Sequence, residues 1–198
     1  MKIRRVKFMA TDNAELNGIL YLPDVNTNRV IISIHGMSSN CFKAREDIIS
    51  EVATNNNIAY LCFNNRGYEL VTYVKKVKDE EEIKEYSGTT YEDVLDSYYD
   101  ICGAINKALE LGFSEVYLQG HSLGCTKIVY TYNRLLKENN SLLKSIKSII
   151  LLSLIDIVDT QKFDLNGDYD KMLETAEKME KEGKENELMP KEAFIHPM

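Results

Sequence analysis

Long apolar runs are missing from this chain of 198 residues, and so is any surplus of positive charge. The most apolar stretch, "SIILLSLIDIV" from Ser148 to Val158, is too short and too interrupted to span a bilayer. Basic residues number 24 against 31 acidic ones, a formal net charge of -7. That balance argues against nucleic acid or an anionic membrane as the main partner, because either calls for a basic surface. The opening "MKIRRVKFMATDNAELNG" has positive residues but no apolar segment behind them, so it does not read as a secretory signal. Cysteine is sparse. Cys41, Cys62, Cys102 and Cys125 show no CxxC or metal-ligand spacing, and read as buried free thiols of a cytoplasmic protein. No internal repeat and no low-complexity segment is present. The remaining composition, 44% hydrophobic and 28% charged, fits one globular domain with a sizeable core.

Along the chain, strand patterns alternate with helix patterns. "RRVKFMATD" and "ELNGILYLP" predict two short strands joined by a turn at Asp12-Asn13. "RVIISIHG", "IAYLCFN", "EVYLQG" and "IKSIILLSL" are continuous apolar runs of the kind buried on both faces of a sheet. Helices are expected from about Arg45 to Asn55, from Thr89/Thr90 to a stop at Gly112, and over "SLGCTKIVYTYNRLLKEN". The charged residues 69–90 read as a surface hairpin or loop. From Asp159 the chain reads as one charged helix with loose ends. The expectation is an α/β fold, a three-layer α/β/α sandwich whose mostly parallel sheet is antiparallel at its N-terminal edge. Residues 1–158 form the core in this reading, and 159–198 begin a helical cap.

Chemistry enters at "VYLQGHSLGCTK", residues 116–127. A strand that turns sharply into a helix strains its turn residue, and glycines two before and two after allow the close approach this needs. Ser122 occupies that turn, so its hydroxyl is thrust toward the N-terminus of the following helix, where free N–H groups favour developing negative charge. A second element is His35-Gly36-Met37 at the end of an earlier buried strand. In a nucleophile elbow of this kind one oxyanion donor is the N–H after the serine, here Leu123, and the other comes from such a loop, here Met37.

With "HGMSSN", "NNRGY", "GTTYEDVLDSYYDI" and "LQGHSLG" in this order, the chain resembles the α/β-hydrolases, nearest to the lipase/esterase-like serine hydrolases, over residues 1 to about 155. The resemblance implies Ser122 as nucleophile, Met37 and Leu123 as oxyanion donors, and Arg66 as a structural residue beneath the site. It also implies the chain order serine, acid, histidine. His35 and His121 precede Ser122; only His196 follows it. Asp156 is the best placed acid and Asp159 a weaker one. Either Asp156 and His196 complete an abbreviated triad, or the base belongs to strands beyond Met198 that the resemblance implies and this sequence does not contain.

The implied activity is cleavage of esters or thioesters of small to medium acyl groups through an acyl-enzyme, the cap selecting the acyl chain. The alternative is a non-catalytic protein of the same fold that binds a ligand or partner, or an inactive fragment of a hydrolase; a third is a peptidase or other amide hydrolase, which the sequence does not separate from an esterase. A sheet ending at "IILLSL" also implies an uncovered edge and self-association through it. No cofactor and no metal are expected. "NGDYD" groups acidic residues but lacks the twelve-residue loop and terminal Glu of a calcium site.

Overall fold

The computed structural model describes residues 1–78, 81–164, 168–185 and 187–190. It divides into two units, the first running from Met1 to Leu154 and the second from Ile155 onward.

The first unit is built on a six-stranded sheet. Its strands are β1 (Lys2–Met9), β2 (Glu15–Leu22), β3 (Arg29–Ile34), β4 (Ala59–Asn64), β7 (Glu115–His121) and β8 (Ile146–Leu152), in the order β1-β2-β4-β3-β7-β8. β1 and β2 form an antiparallel hairpin whose turn residue Asn13 has φ 68°. β2 joins β4 antiparallel, and the remaining strands are parallel. The mixed sheet with its antiparallel N-terminal edge is the expected one.

Alternation along the strands makes two cores. Val30, Ile32, Ile34, Leu61, Phe63 and Leu118 face α2 (Ser97–Glu110) and α3 (Leu123–Lys137), where Ile101, Ile105 and Ile128 meet them. Tyr21, Tyr60, Cys62 and half-buried Ile31 face the other way, onto Ala53 of α1 (Ala44–Asn55) and Cys41. Each buried Ile or Leu contributes about 1.5–3 kcal/mol relative to exposure. All four cysteines are buried and free.

Residues 69–90 carry a separate antiparallel pair, β5 (Thr72–Lys78) and β6 (Glu81–Ser87), with Tyr73 opposite Tyr86. This is the expected surface hairpin. The next helix, however, begins at Ser97, not at Thr89/Thr90. Thr89 and Thr90 are already committed: their N–H groups donate to the Glu69 and Leu70 carbonyls, and Thr89 Oγ1 donates to the Gly67 carbonyl. A 3-10 turn over Val94–Asp96, capped by Asp93, leads into α2. Its stop at Gly112, φ 94°, is as expected.

In the second unit the single expected helix is two, α4 (Ile157–Asp164) and α5 (Tyr169–Lys181). Asp156 starts the first by capping it, and Asp168 occupies the N-cap position of the second. Among the described residues no helix is long and apolar enough to cross a membrane, and β8 pairs only with β7, leaving its other edge open.

Candidate active site

Ser122 joins the end of β7 to the start of α3 with φ 53° and ψ -126°. A non-glycine residue in such a sparsely populated region costs about 1–3 kcal/mol and persists only where its surroundings hold it. Here they do. Ser122 N–H donates to the Leu152 carbonyl at 3.0 Å, and its own carbonyl accepts from Cys125 N–H at 2.8 Å. The flanking glycines allow the close packing: a Cβ at position 120 would stand 2.6 Å from the Gly124 carbonyl oxygen, and one at 124 would stand 2.2 Å from that of Ile34. α3 therefore begins in direct backbone contact with β3.

The loop after β3 closes on this turn. A Cβ on Gly36 would lie 2.9 Å from the His121 carbonyl oxygen, 3.0 Å from Ser122 Cβ and 3.4 Å from Leu123 N. Among the described residues neither the Met37 N–H nor the Leu123 N–H donates a hydrogen bond, and Ser122 Oγ has no partner. The loop is held from the hairpin side. Ser38 N–H donates to Thr89 Oγ1 at 2.8 Å, Glu69 N–H to the Ser39 carbonyl at 3.2 Å, and Asn40 Nδ2 to Glu69 at 2.6 Å.

His35 lies behind the loop, 2% exposed, with both ring nitrogens engaged. Its Nε2 accepts from Asn65 N–H at 3.2 Å and its Nδ1 lies 2.9 Å from the Gly36 carbonyl oxygen. Burial drives its pKa down to about 3, so it stays neutral and is not a base. His121 is half-buried, and burial lowers its pKa as well.

Arg66 is structural, as expected. Its guanidinium reaches Asp12, Asp96 and Asp100 at 2.7–3.0 Å, and its N–H donates to Asp100 at 2.8 Å. Burial opposes the charge on Arg66, but Asp100 and Asp12 more than restore it. Burial likewise pushes the Asp12 carboxyl up, and Arg66 and Lys76 outweigh it, leaving its pKa below the usual carboxylate range.

Two buried residues here escaped the sequence reading. Lys127 on α3 pairs with Glu92 and donates to Asn65 Oδ1 at 3.0 Å. The signal for Lys127 was present: it falls in the row Leu123, Lys127, Thr131, Leu135, spaced by four along a helix and buried throughout.

Asp156 belongs to the second unit, is exposed, and accepts from Val158 N–H at 3.0 Å and Asp159 N–H at 3.1 Å with one oxygen. Asp159 sits in the first turn of α4. His196 lies outside the described residues.

The chain matches no protein-family model and no curated protein. It is similar to many solved structures. The α/β hydrolase GrgF from Penicillium sp. sh18 is matched with TM-score 0.64 at 15% identity, over 95% of this chain and 57% of that one. The Pyrococcus furiosus esterase Pf2001 is matched with TM-score 0.58 at 18% identity, over 83% and 56%. The thermostable carboxyl esterase from Bacillus coagulans is matched with TM-score 0.60 at 10% identity, over 92% and 52%. This chain thus has the α/β-hydrolase fold, and it spans between half and two thirds of the length of the structures it matches.

Proposed function

We propose that this α/β-hydrolase-fold chain carries the nucleophile of a serine hydrolase acting on carboxylic esters or thioesters of small to medium acyl groups. The observation that carries the reading is the strained backbone of Ser122 beside two amides, Met37 and Leu123, that have no acceptor among the described residues. Ser122 Oγ attacks the carbonyl carbon as its proton leaves to a base, and the carbonyl oxygen takes up negative charge facing the two N–H groups. Collapse expels the alcohol or thiol, which takes the proton, and leaves the acyl group on Ser122. Water then repeats the sequence and releases the acid. Structural neighbours named as esterases support this class of substrate.

The chain spans 52–57% of the matched hydrolases, and for the base and its acid partner two assignments stand: His196 and Asp156, or residues that this sequence does not contain. The second reading, a ligand- or partner-binding protein without turnover, is favoured by the Asp156 oxygen already committed to capping α4. We also propose residues 159–198 as the start of a helical cap. The buried free thiols fit a reducing, cytoplasmic setting, and the open edge of β8 supports self-association.

A fluorophosphonate probe distinguishes the readings. Labelling of the wild type but not of Ser122→Ala is expected. Labelling lost in His196→Ala identifies the base, and a wild type that never labels leaves the binding reading.

A further inference from the structure

Lys127 is fully buried on α3, five residues past Ser122, with its ammonium enclosed by the Glu92 carboxylate and Asn65 Oδ1. Stability alone gives no reason for such a pair, since apolar side chains of similar volume often do as well or better in its place. What the pair holds is Asn65. The same Oδ1 accepts from Gly67 N–H at 3.2 Å, the Nδ2 donates to the His35 carbonyl at 3.4 Å, and the Asn65 N–H donates to His35 Nε2 at 3.2 Å. An imidazole that accepts at Nε2 carries its proton at Nδ1 when neutral. That Nδ1–H donates to the Gly36 carbonyl at 2.9 Å.

The Gly36 carbonyl and the Met37 N–H belong to one planar, trans peptide group, so fixing the oxygen fixes the direction in which the N–H points. This peptide needs fixing. It turns about ψ of Gly36, which has no side chain to limit it, and φ of Met37, and besides His35 its oxygen accepts only from Ser39 N–H, at 3.3 Å, among the described residues. We propose that Lys127, paired with Glu92, is a positioning residue for the Met37 amide, acting through Asn65 and His35. The chain of contacts runs from the nucleophile helix through the end of β4 to the end of β3, so one buried charge sets nucleophile and oxyanion donor in register. The proposal rests on the reading of Met37 N–H as an oxyanion donor.

The test is nitrogen-15 NMR of the whole chain, with histidine and methionine labelled selectively, beside fluorophosphonate labelling rates. In the wild type His35 is expected as the single Nδ1–H tautomer. In Lys127→Met/Glu92→Gln, which removes both charges together, His35 is expected to populate both tautomers and the Met37 amide to exchange about tenfold faster. Outright loss of one oxyanion donor costs about 10²- to 10³-fold in rate, so a misdirected donor is expected to slow labelling of Ser122 by about tenfold. A folded double variant whose His35 and Met37 signals match the wild type overturns the proposal. So does an Nε2–H tautomer in the wild type, which decides the matter even where the variant does not fold. If the spectral changes appear but the wild type does not label, the hydrolase reading falls and the positioning of the amide stands.

Discussion

Gly36 faces Ser122 so closely that a Cβ added to the glycine would stand 3.0 Å from the serine Cβ and 2.9 Å from the backbone oxygen of His121. Neither neighbour can yield cheaply, because one belongs to the strained turn at Ser122 and the other is sheet backbone. Gly36→Ala is therefore expected to push the loop away from the elbow and to slow fluorophosphonate labelling by about tenfold or more. A cost of about 1–3 kcal/mol in urea unfolding is expected with it. Unchanged labelling in a folded variant would mean that the loop does not contribute to the site.

The strain at Ser122 predicts a trade between stability and chemistry. Glycine adopts positive φ readily, whereas alanine meets the same backbone restriction as serine. Ser122→Gly is expected to be more stable than the wild type by about 1 kcal/mol, and Ser122→Ala is expected to gain no such benefit. Both should lose labelling. Thermal unfolding of the three proteins side by side is the measurement.

His35 sets an acid limit on folding. Its folded pKa is depressed to about 3 by burial, against an ordinary value of 6.5. The unfolded chain binds a proton that the folded one refuses, so the stability tied to neutral His35 is full above about pH 6.5. It is lost as the pH falls from there toward 3, by on the order of a few kcal/mol in total. Urea midpoints between pH 7 and 4 should fall in the wild type and fall less in a folded His35→Gln variant. Asp12 acts lower on the scale: its depressed pKa gives a contribution present above 3.8 and lost further into acid.

Asp100 is fully buried against the Arg66 guanidinium. Removing one partner of such a pair strands the other's charge, at about 3–5 kcal/mol. Asp100→Asn is expected to destabilise by that order in equilibrium unfolding, a larger cost than that of Asp96→Asn, whose side chain is 38% exposed.

Among the described residues β8 pairs on one side alone, and this predicts concentration-dependent association. Ile149 and Ile150 are only half-buried, and Leu151 is 37% exposed. Strands with apolar faces and free edge groups pair with others, and lysine on the edge blocks this. Size exclusion over a range of concentrations should show larger species in the wild type and fewer in Leu151→Lys.

Much of this arrangement was legible in residue patterns, because the features concerned are local. The apolar runs of β3, β4 and β7 announce strands covered on both faces, and Gly-His-Ser-Leu-Gly between strand and helix announces the bend at Ser122. What escaped depends on partners distant in sequence. Nothing near Thr89 reveals that its hydroxyl serves Ser38, 51 positions away, and so cannot cap a helix. Glu92 carries no local sign of Lys127, 35 positions on. Asp156 is the exception: the N–H groups that it caps, those of Val158 and Asp159, lie only two and three positions on.

The bond from Ser122 N–H to the carbonyl of Leu152 links two matters otherwise separate. Leu152 is the last residue of an edge strand, so whatever docks along that border, another copy or a further stretch of polypeptide, bears on the residue that anchors the bend at Ser122. Assembly state and serine reactivity should then be read together, since a change at the rim of the sheet travels one hydrogen bond to reach the centre.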